Sequence, residues 1–340
     1  MVKKLENIGF YTLNDSRAKN VSLDSPLWRC ELLLTDRCNF SCPYCRGPNQ
    51  YTKGELSFEE ARYIIYLWSL HGLKNIRFSG GEPTLVDYLV KLVHYTKFVG
   101  VKRIALSTNG SADTALYEDL LNVGVNDFSI SLDACCASTG DMMTGGIKGA
   151  WDIVKENIKF LSKYSYVTVG VVLTDDNFNE LADIIVFASS LGVSDIRIIS
   201  SAQWNNEEKF KNLFNDTDIL TKYPILNYRI KNFRNEKNVR GIKEDDCNRC
   251  WLALDDMSIA GNYHFPCVIA MREGAEPVGT IDNKTMTEIR RERLDWIKEN
   301  KTNENNICKR NCLDVCVEYN NKVRELNDCE KLIKHTKNTK

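Results

Sequence analysis

Three cysteines lie close together in the stretch Thr35-Asp36-Arg37-Cys38-Asn39-Phe40-Ser41-Cys42-Pro43-Tyr44-Cys45. The stretch follows Cys30–Leu34, an apolar run with the length of a buried strand. In parallel α/β sheets the functional groups lie on loops at the carboxyl ends of the strands. Three thiols on such a loop, separated by three and then two residues, therefore indicate a functional site rather than unrelated buried cysteines.

Five further runs of buried-strand length follow the first, at intervals of about 25–35 residues. They are Ile76–Phe78, Arg103–Ser107, Asp127–Leu132, Val167–Leu173 and Asp195–Ile199. Helical periodicity fills the gaps between them, beginning with residues 58–68 behind a capping box of Ser57 and Glu60. Six strand-helix units with short connections predict an α/β fold with a parallel sheet, most simply an incomplete (β/α)6 barrel.

The strand-helix pattern ends near residue 204, where the chain becomes polar and rich in Asn and Lys. We therefore predict an N-terminal extension at 1–28, a barrel at 29–204, a linker at 205–241 and a small irregular cysteine-rich domain at 242–340.

The C-terminal region has shorter, less regular elements and more cysteines than the barrel. Met257–Ile259 and Tyr263–Val268 predict a hairpin, and Met286–Ile297 predicts a helix. Few apolar residues follow Gly279, although seven cysteines lie between residues 247 and 329. We therefore expect this region to fold around metal.

The composition excludes several classes of function. The 45 basic and 46 acidic residues leave a net charge of −1, so no overall field would attract nucleic acid or an anionic membrane. No apolar run reaches the ~18 residues of a membrane helix, and the first residues lack a signal sequence, which favours the cytoplasm. Because the cytosol keeps thiols reduced, the 13 cysteines predict metal ligation rather than disulfides.

The first cysteine group favours an iron-sulfur cluster over zinc. A structural zinc site takes four protein ligands, and no fourth Cys or His lies near Cys38, Cys42 and Cys45 in the sequence. A 4Fe-4S cluster held by three cysteines keeps one iron open, which allows a small molecule to bind the metal directly.

These motifs resemble those of radical S-adenosylmethionine (SAM) enzymes over residues 29–201. Cys38, Cys42 and Cys45 match the ligands of the family's 4Fe-4S cluster. Several other motifs follow successive strands, as they do in the family. The matching positions, which the resemblance assigns to SAM binding, are Tyr44, Gly80, Gly81, Glu82, Pro83, Thr108, Asn109, Ser131 and Asp133.

The resemblance implies that the enzyme cleaves SAM reductively and that the 5'-deoxyadenosyl radical takes a hydrogen atom from a substrate. It also implies an external one-electron reductant such as flavodoxin or ferredoxin. The protein's part is to bind and orient SAM and the substrate and to exclude water, so no catalytic acid or base is assigned. Peptide or protein modification is the favoured activity, with a small-molecule substrate as the alternative.

The C-terminal cysteines resemble the SPASM or twitch extension of this family, which carries one or two auxiliary iron-sulfur clusters. The matching residues are Cys247, Cys250, Cys267, Cys308, Cys312, Cys316 and Cys329. Their grouping departs from the usual pattern, so no residue is assigned to a particular cluster. A zinc site formed by four of them is the alternative.

Two further interpretations remain open. A C-x2-C pair followed by a third cysteine also resembles the GTP cyclase of molybdenum-cofactor synthesis, and Arg77 matches one of its nucleotide-binding arginines. Against that identity, Glu31 stands where an arginine is expected and the chain lacks a terminal Gly-Gly. A cysteine-rich metal-binding regulator would leave Gly80-Gly81-Glu82-Pro83 unexplained.

Other residues near the strands are weaker candidates. Glu31, Asp127 and Arg197 are substrate contacts if their side chains point into the barrel, and surface residues if they do not. Cys135 and Cys136 follow the fourth strand, where they pack a loop or provide a reactive thiol.

Overall fold

The computed structural model describes residues 15–201, 214–235 and 240–334. Its centre is a nine-stranded sheet with the order β6-β5-β4-β3-β2-β1-β7-β8-β9. The strands are β1 (Arg29–Thr35), β2 (Asn75–Gly80), β3 (Arg103–Thr108), β4 (Asp127–Ser131), β5 (Tyr166–Leu173), β6 (Asp195–Ser200), β7 (Asp256–Ala260), β8 (Tyr263–Phe265) and β9 (Gly279–Thr280). All neighbours from β6 to β7 are parallel, and the last two pairs are antiparallel.

The six predicted barrel strands are confirmed as β1 to β6, which lie side by side in chain order. The sheet does not close on itself, because β6 and β9 are its two edges. The prediction of an α/β fold with an incomplete barrel is therefore confirmed. Because parallel strands share a direction, the loops that follow β1 to β5 all lie at the edge of the sheet formed by the carboxyl ends of these strands.

Fifteen helices accompany the sheet in the described ranges. They are α1 (Asp15–Lys19), α2 (Phe58–Ser69), α3 (Leu89–Phe98), α4 (Thr114–Val123), α5 (Ala137–Met143), α6 (Ala150–Leu161), α7 (Leu181–Ser190), α8 (Thr217–Lys222), α9 (Pro224–Arg234), α10 (Leu252–Asp255), α11 (Val268–Arg272), α12 (Met286–Glu299), α13 (Asn306–Asn311), α14 (Asp314–Leu326) and α15 (Cys329–Lys334). The predicted capping box begins α2, with the Ser57 side chain accepting from Glu60 N and the Glu60 side chain accepting from Ser57 N. None of these helices is long and apolar enough to cross a membrane.

The range 205–241, predicted as a linker, contains two helices. Residues 205–213 and 236–239 lie outside the described residues, but α8 and α9 occupy most of the rest. Leu226, Ile230 and Phe233 on α9 belong to the main hydrophobic core of the barrel. The described part of the range is therefore packed structure, because α9 covers the edge strand β6.

The predicted hairpin of the C-terminal region is confirmed as β7 and β8, but it continues the barrel sheet. Strand β7 pairs in parallel with β1, with Arg29 opposite Asp256 and Leu33 opposite Ala260. The boundary that the sequence suggests near residue 242 therefore crosses one continuous sheet. Amino acid composition gives no sign of this pairing, because it depends on contacts between residues more than 200 positions apart.

A second hydrophobic core holds the remaining C-terminal helices together. It includes the buried side chains of Trp251, Leu254, Leu294, Ile297 and Tyr319. The expectation that too few apolar residues follow Gly279 to form a core is therefore corrected. α12 and α14 each supply one apolar face. This face is hard to recognise in the sequence because most residues of both helices are polar.

The described part of the predicted N-terminal extension packs on this C-terminal region. Arg17 on α1 forms ion pairs with Asp255 and Asp256, and its guanidinium lies 4.9 Å from the centre of the Tyr319 ring. All four side chains are buried. The first helix thus joins two segments that lie more than 230 residues further along the chain.

Candidate functional site

The first cysteine group lies on the loop that follows β1. Cys38 and Cys45 are exposed, and Cys42 is half-buried. The amide of Phe40 donates to Cys38 Sγ at 3.4 Å, and that of Gly47 donates to Cys45 Sγ at 3.5 Å. Backbone donors aimed at sulfur stabilise a negatively charged, metal-bound thiolate. Burial raises the pKa of Cys42 to about 12, so its thiolate form needs a cationic partner.

The spacing of these thiols distinguishes between metals. In the described chain, the three sulfurs of Cys38, Cys42 and Cys45 do not form a set compact enough for a single ion. A zinc ion would draw its ligands around one centre, whereas a 4Fe-4S cluster binds each cysteine through a different iron. The donor set, with its backbone N–H groups, therefore fits a three-cysteine iron-sulfur cluster.

The Gly80-Gly81-Glu82 segment packs directly against this cysteine loop. The amide of Gly81 donates to Thr35 O at 2.7 Å, and that of Glu82 donates to Arg37 O at 2.8 Å. A Cβ on Gly80 would collide with Thr35 O, and a Cβ on Gly81 would collide with Arg37 O. The close approach that these glycines permit is therefore to the backbone just before Cys38.

The Glu82 side chain points into the protein and is 1% exposed. Its carboxylate accepts from Thr108 Oγ1 at 2.7 Å and from the Asn109 amide at 2.6 Å, as well as from the amide and hydroxyl of Thr84. Burial raises the pKa of Glu82, and these hydrogen bonds counteract part of that rise. Glu82 thus fastens the end of β2 to the end of β3. Pro83 is buried and begins the short turn that follows.

The ends of β3 and β4 reach the cysteine loop. Asn109 donates from Nδ2 to Asn39 Oδ1 at 2.8 Å, and this nitrogen lies 3.9 Å from Cys38 Sγ. Asp133 accepts from Tyr44 Oη at 2.5 Å and from the Val172 amide at 2.7 Å. Burial raises the pKa of Asp133 to about 6, against the lowering effect of these two hydrogen bonds.

Residues from five separate segments meet in a cavity of about 60 Å³ at this edge of the sheet. Those predicted from the sequence are Cys42, Tyr44, Asn109, Ser131 and Asp133. Thr108 lies beneath them and is buried. The side chains predicted to bind SAM therefore fall into two groups. One group faces this cavity, while Thr108 and Glu82 support it from behind.

The interior of the barrel is polar and charged. A cavity of about 110 Å³ there is lined by Glu31, Arg77, Asp127 and Arg197, all of which the sequence marked as candidates. The sequence analysis did not identify the other charged lining residues, Arg29 and Arg229. Arg29 begins the first strand and is two residues before Glu31, so strand alternation was the signal that could have found it.

Three arginines, Arg46, Arg240 and Arg272, lie near one another where the cysteine loop meets the C-terminal region. Arg46, adjacent to Cys45, is ion-paired with Glu273, and its pKa is lowered to about 10 by burial and by the neighbouring Arg240 and Arg272. Arg272 lies 3.7 Å from Glu31. These residues come from three distant parts of the chain, so the sequence gave no sign of their convergence.

Six of the seven C-terminal cysteines line one largely apolar cavity. They are Cys247, Cys250, Cys267, Cys308, Cys312 and Cys316. The seventh, Cys329, is half-buried and close enough to Cys247 for the two charges to interact. Cys267 and Cys316 also line the interior cavity of the barrel, so the thiol-lined cavity adjoins it.

Burial raises the pKa of most of these thiols, whereas a hydrogen bond with Cys312 lowers that of Cys316. Burial raises the pKa of Cys267 to about 12 and that of Cys308 to about 11. In the described residues no three of these sulfur atoms lie within 4.8 Å of one another. The only set of potential ligands that is this compact in those residues is Cys135, Cys136 and Glu180, at the edge of the sheet.

Comparison with protein families gives a match to the Radical SAM superfamily at residues 32–188. A probable GTP 3',8-cyclase of Sulfurisphaera tokodaii is 32% identical over 169 residues, covering 49% of this chain and 53% of that protein. A GTP 3',8-cyclase of Staphylococcus epidermidis is 27% identical over 296 residues, covering 77% and 84%. The chain spans only about 53–62% of the length of the first relatives that it matches.

Solved structures share the fold. The protein anSMEcpe with bound AdoMet superposes with a TM-score of 0.61 at 15% identity, over 90% of this chain and 98% of that one. SuiB of Streptococcus suis bound to S-adenosylmethionine gives 0.59 at 14% identity, over 81% and 66%. The family match confirms the resemblance that the sequence motifs predicted, and these structures show a shared fold.

Proposed function

Because residues 32–188 belong to the radical SAM superfamily, we propose that the chain is an enzyme that cleaves SAM reductively and acts on an anionic small molecule. Cys38, Cys42 and Cys45 hold the 4Fe-4S cluster in this proposal. The observation that carries it is the meeting of these thiols with Asn109 and Asp133 at one edge of the sheet. When bound there, the cluster supplies the electron for cleavage of SAM.

The protein's own residues hold and orient the reactants. Gly80 and Gly81 dock their segment against the backbone before Cys38, and Glu82 ties that segment to β3. Tyr44, Asn109, Ser131 and Asp133 line the adjoining cavity and are the residues that would contact SAM. Glu82 is a positioning residue in this arrangement, since its carboxylate is committed to Thr84, Thr108 and Asn109.

The guanidinium groups of the barrel interior support an anionic substrate. Four arginines line the cavity, of which Arg29 is ion-paired with Asp256 and Arg229 with Asp314. Arg77 and Arg197 share the cavity with the carboxylates of Glu31 and Asp127, and they are the arginines that would contact the substrate. Guanidinium groups bind phosphate and carboxylate through paired N–H donors, and they remain charged when buried. The relatives are named as GTP 3',8-cyclases, which favours a nucleotide-like anion.

Peptide or protein modification, which the sequence favoured, stays a prediction. The neighbour SuiB is described with a bound precursor peptide, but its 14% identity supports a shared fold alone. No feature of the described interior favours a peptide over a compact anion. External reduction by a flavodoxin or ferredoxin also stays a prediction.

The C-terminal thiols are proposed to hold one auxiliary iron-sulfur cluster in their common cavity. Cys250, Cys267, Cys308, Cys312 and Cys316 lie close enough for a thiolate at one to shift the pKa of another, which supports their grouping around one site. Because this cavity adjoins the barrel interior, a cluster bound there would lie beside the substrate. A metal-binding regulator would need neither the charged interior nor the edge cavity.

The proposal is tested by the production of 5'-deoxyadenosine by the anaerobically reconstituted enzyme. Nucleoside triphosphates and short peptides are supplied separately, and we expect the nucleotides to stimulate cleavage. Arg77→Gln and Arg197→Gln should each raise the KM for the nucleotide at least tenfold and leave uncoupled cleavage unchanged. Arg62→Gln, on the surface of α2, is the matched control. Stimulation by peptides alone would refute the anionic substrate.

A further inference from the structure

Cys135, Cys136 and Glu180 form a compact set of ligands that the reductive cleavage of SAM does not use. Their sulfur and carboxylate oxygen atoms all lie within 4.8 Å of one another. Cys135 Sγ is 3.5 Å from Glu180 Oε2. We propose that these three residues bind one thiophilic divalent cation of the zinc class, at a site separate from both iron-sulfur cysteine groups.

The fold brings the three ligands together from two loops. Cys135 and Cys136 follow β4, and Glu180 ends the short helical turn Phe178–Glu180 after β5. Because β4 and β5 are parallel neighbours, their carboxyl ends meet at the same edge of the sheet. The site therefore depends on strand pairing, and the spacing of the three residues in the sequence does not predict it.

The ligands are held by side chains behind them. Thr139 Oγ1 donates to Glu180 Oε1 at 2.6 Å, which leaves Oε2 directed at Cys135. Asn177 is completely buried, and its Nδ2 donates to Asp133 O and to Val172 O at 2.9 Å each. These hydrogen bonds fix both loops before any ion arrives, as supporting residues do in protein metal sites.

The donor types select the metal. Two thiolates and one carboxylate suit zinc, whereas magnesium and calcium prefer oxygen ligands throughout. Three protein ligands leave a fourth tetrahedral position for water. All three residues are half-buried, so an ion can reach them from solvent. Binding displaces the two thiol protons to solvent, and no change in oxidation state is required.

The position of the site gives it a structural consequence. Asp133, two residues before Cys135, accepts hydrogen bonds from Tyr44 on the cysteine loop and from the Val172 amide on β5. An ion that joins the β4 and β5 loops would hold Asp133 in place. The site is thus a clamp beside the SAM-binding edge rather than a second reaction centre.

The test uses the full chain reconstituted with iron and sulfide, then equilibrated anaerobically with zinc chloride and freed of excess ion. Metal analysis should find one zinc per chain and an unchanged iron content. X-ray absorption at the zinc edge should find two sulfur ligands, with oxygen completing the shell. Three or four sulfurs would place the zinc in the iron-sulfur cysteine groups and overturn the proposal.

Variants locate the ion. The double substitution Cys135→Ser with Cys136→Ser should abolish zinc binding without loss of iron, and Glu180→Gln should weaken it at least tenfold. Two control variants should bind zinc as the parent does. Cys30→Ala removes a buried thiol elsewhere, and Glu156→Gln changes an exposed residue of α6. Zinc retained by the double variant would refute the assignment.

Two measurements on the parent protein decide the case even if a variant misfolds. The absorption measurement needs the parent protein alone, so it stands without any substitution. Intact mass of the parent under reducing-agent-free conditions should show no loss of two hydrogens between the adjacent cysteines. A Cys135–Cys136 disulfide that excludes zinc would contradict the proposal.

Discussion

The two groups of cysteines on either side of the barrel interior are built in opposite ways. Cys38 and Cys45 are exposed on a loop at the edge of the sheet, and the cavity beside that loop is lined by polar residues such as Asn109 and Asp133 together with apolar ones such as Phe40 and Trp151. Cys250 is buried, and the cavity around it is lined mainly by apolar side chains. An open edge gives a small molecule access to a metal, whereas an enclosed set of thiols surrounds its metal with protein.

The two groups also differ in what holds them. The first group lies within eight residues of one loop, which a single neighbouring segment fixes through Gly81 and Glu82. The cysteines of the second group lie on α13, α14 and α15, or next to α10, α11 and α13. Local damage should therefore disable the first group outright. Damage to the second should be confined to part of the C-terminal region.

The largest expected difference is in SAM cleavage. Replacement of Cys38, Cys42 and Cys45 with Ala should reduce 5'-deoxyadenosine formation at least 1000-fold, because no iron remains open to SAM. Joint replacement of Cys250, Cys267 and Cys316 should keep uncoupled cleavage within about threefold of the parent and abolish substrate turnover. Liquid chromatography of the products measures both. Equal loss of cleavage in the two variants would show that both cysteine groups are needed for SAM cleavage. Cys30→Ala serves as the control.

A substitution outside the cysteines should break the first group almost as completely. A valine at position 81 would collide with Arg37 O, so Gly81→Val should displace the cysteine loop and weaken SAM binding at least 100-fold. Equilibrium dialysis with labelled SAM measures the affinity. Gly146→Ala is the control, because that glycine has φ of 86° and open space around it. It carries only the backbone cost of a left-handed conformation, about 1–2 kcal/mol. Unchanged affinity in Gly81→Val would contradict the docking role.

Loss of the second group should loosen only part of the C-terminal region. In the variant with Cys247, Cys250 and Cys267 replaced by Ala, we expect trypsin to cleave at Lys309 and Arg310 at least tenfold faster than in the parent. The β7–β8 hairpin should stay protected, since β7 pairs with β1 along five residues. Mass spectrometry of the fragments locates the cuts. Early cleavage within the hairpin would show that metal, rather than the sheet, holds it.

The pH dependence of SAM binding should report on Asp133 at the open edge. Its pKa of about 6 means that the carboxylate becomes protonated as the pH falls through that value. We expect SAM affinity to fall below about pH 6, by roughly tenfold per unit at the steepest. The Tyr44 hydroxyl lowers this pKa, so Tyr44→Phe should move the midpoint to higher pH. Tyr63→Phe, on exposed α2, should leave it unchanged.

The smallest effect concerns the contact that joins the two regions. Arg46 follows Cys45 and is ion-paired with Glu273, which follows α11, the helix that begins after Cys267. A double-mutant cycle with Arg46→Gln and Glu273→Gln should give a coupling energy of about 1 kcal/mol, as for a partly exposed ion pair. This corresponds to about 2–4 °C in melting temperature. Strict additivity would mean that the two regions are energetically independent there.

Much of the open edge could be derived from the sequence because its signals are local. Buried strands are continuous apolar runs, so β1 to β6 were located before the structure was known. The loops after parallel strands share one edge, which placed Cys42, Asn109 and Asp133 together. Each of these inferences uses only neighbouring residues and the common direction of the strands.

Tertiary structure alone showed which protein groups the glutamate and the glycines in the segment after β2 contact. Their assignment to SAM binding stays a prediction, and the buried Glu82 carboxylate accepts hydrogen bonds from Thr84, Thr108 and Asn109. The glycines approach the backbone of residues 35–37. A motif specifies which residue types are needed, but the partner of a buried carboxylate depends on which strand end packs beside it.

The sequence by itself determined the parallel barrel, the loop of three thiols and the presence of a second set of cysteines. Only the tertiary structure decided that β7 extends the barrel through β1, that six C-terminal thiols share a cavity, and that the barrel interior is rich in arginine. The physical reason is range. Hydrophobic periodicity and loop motifs act within about ten residues, whereas these features arise from packing between segments up to 230 residues apart.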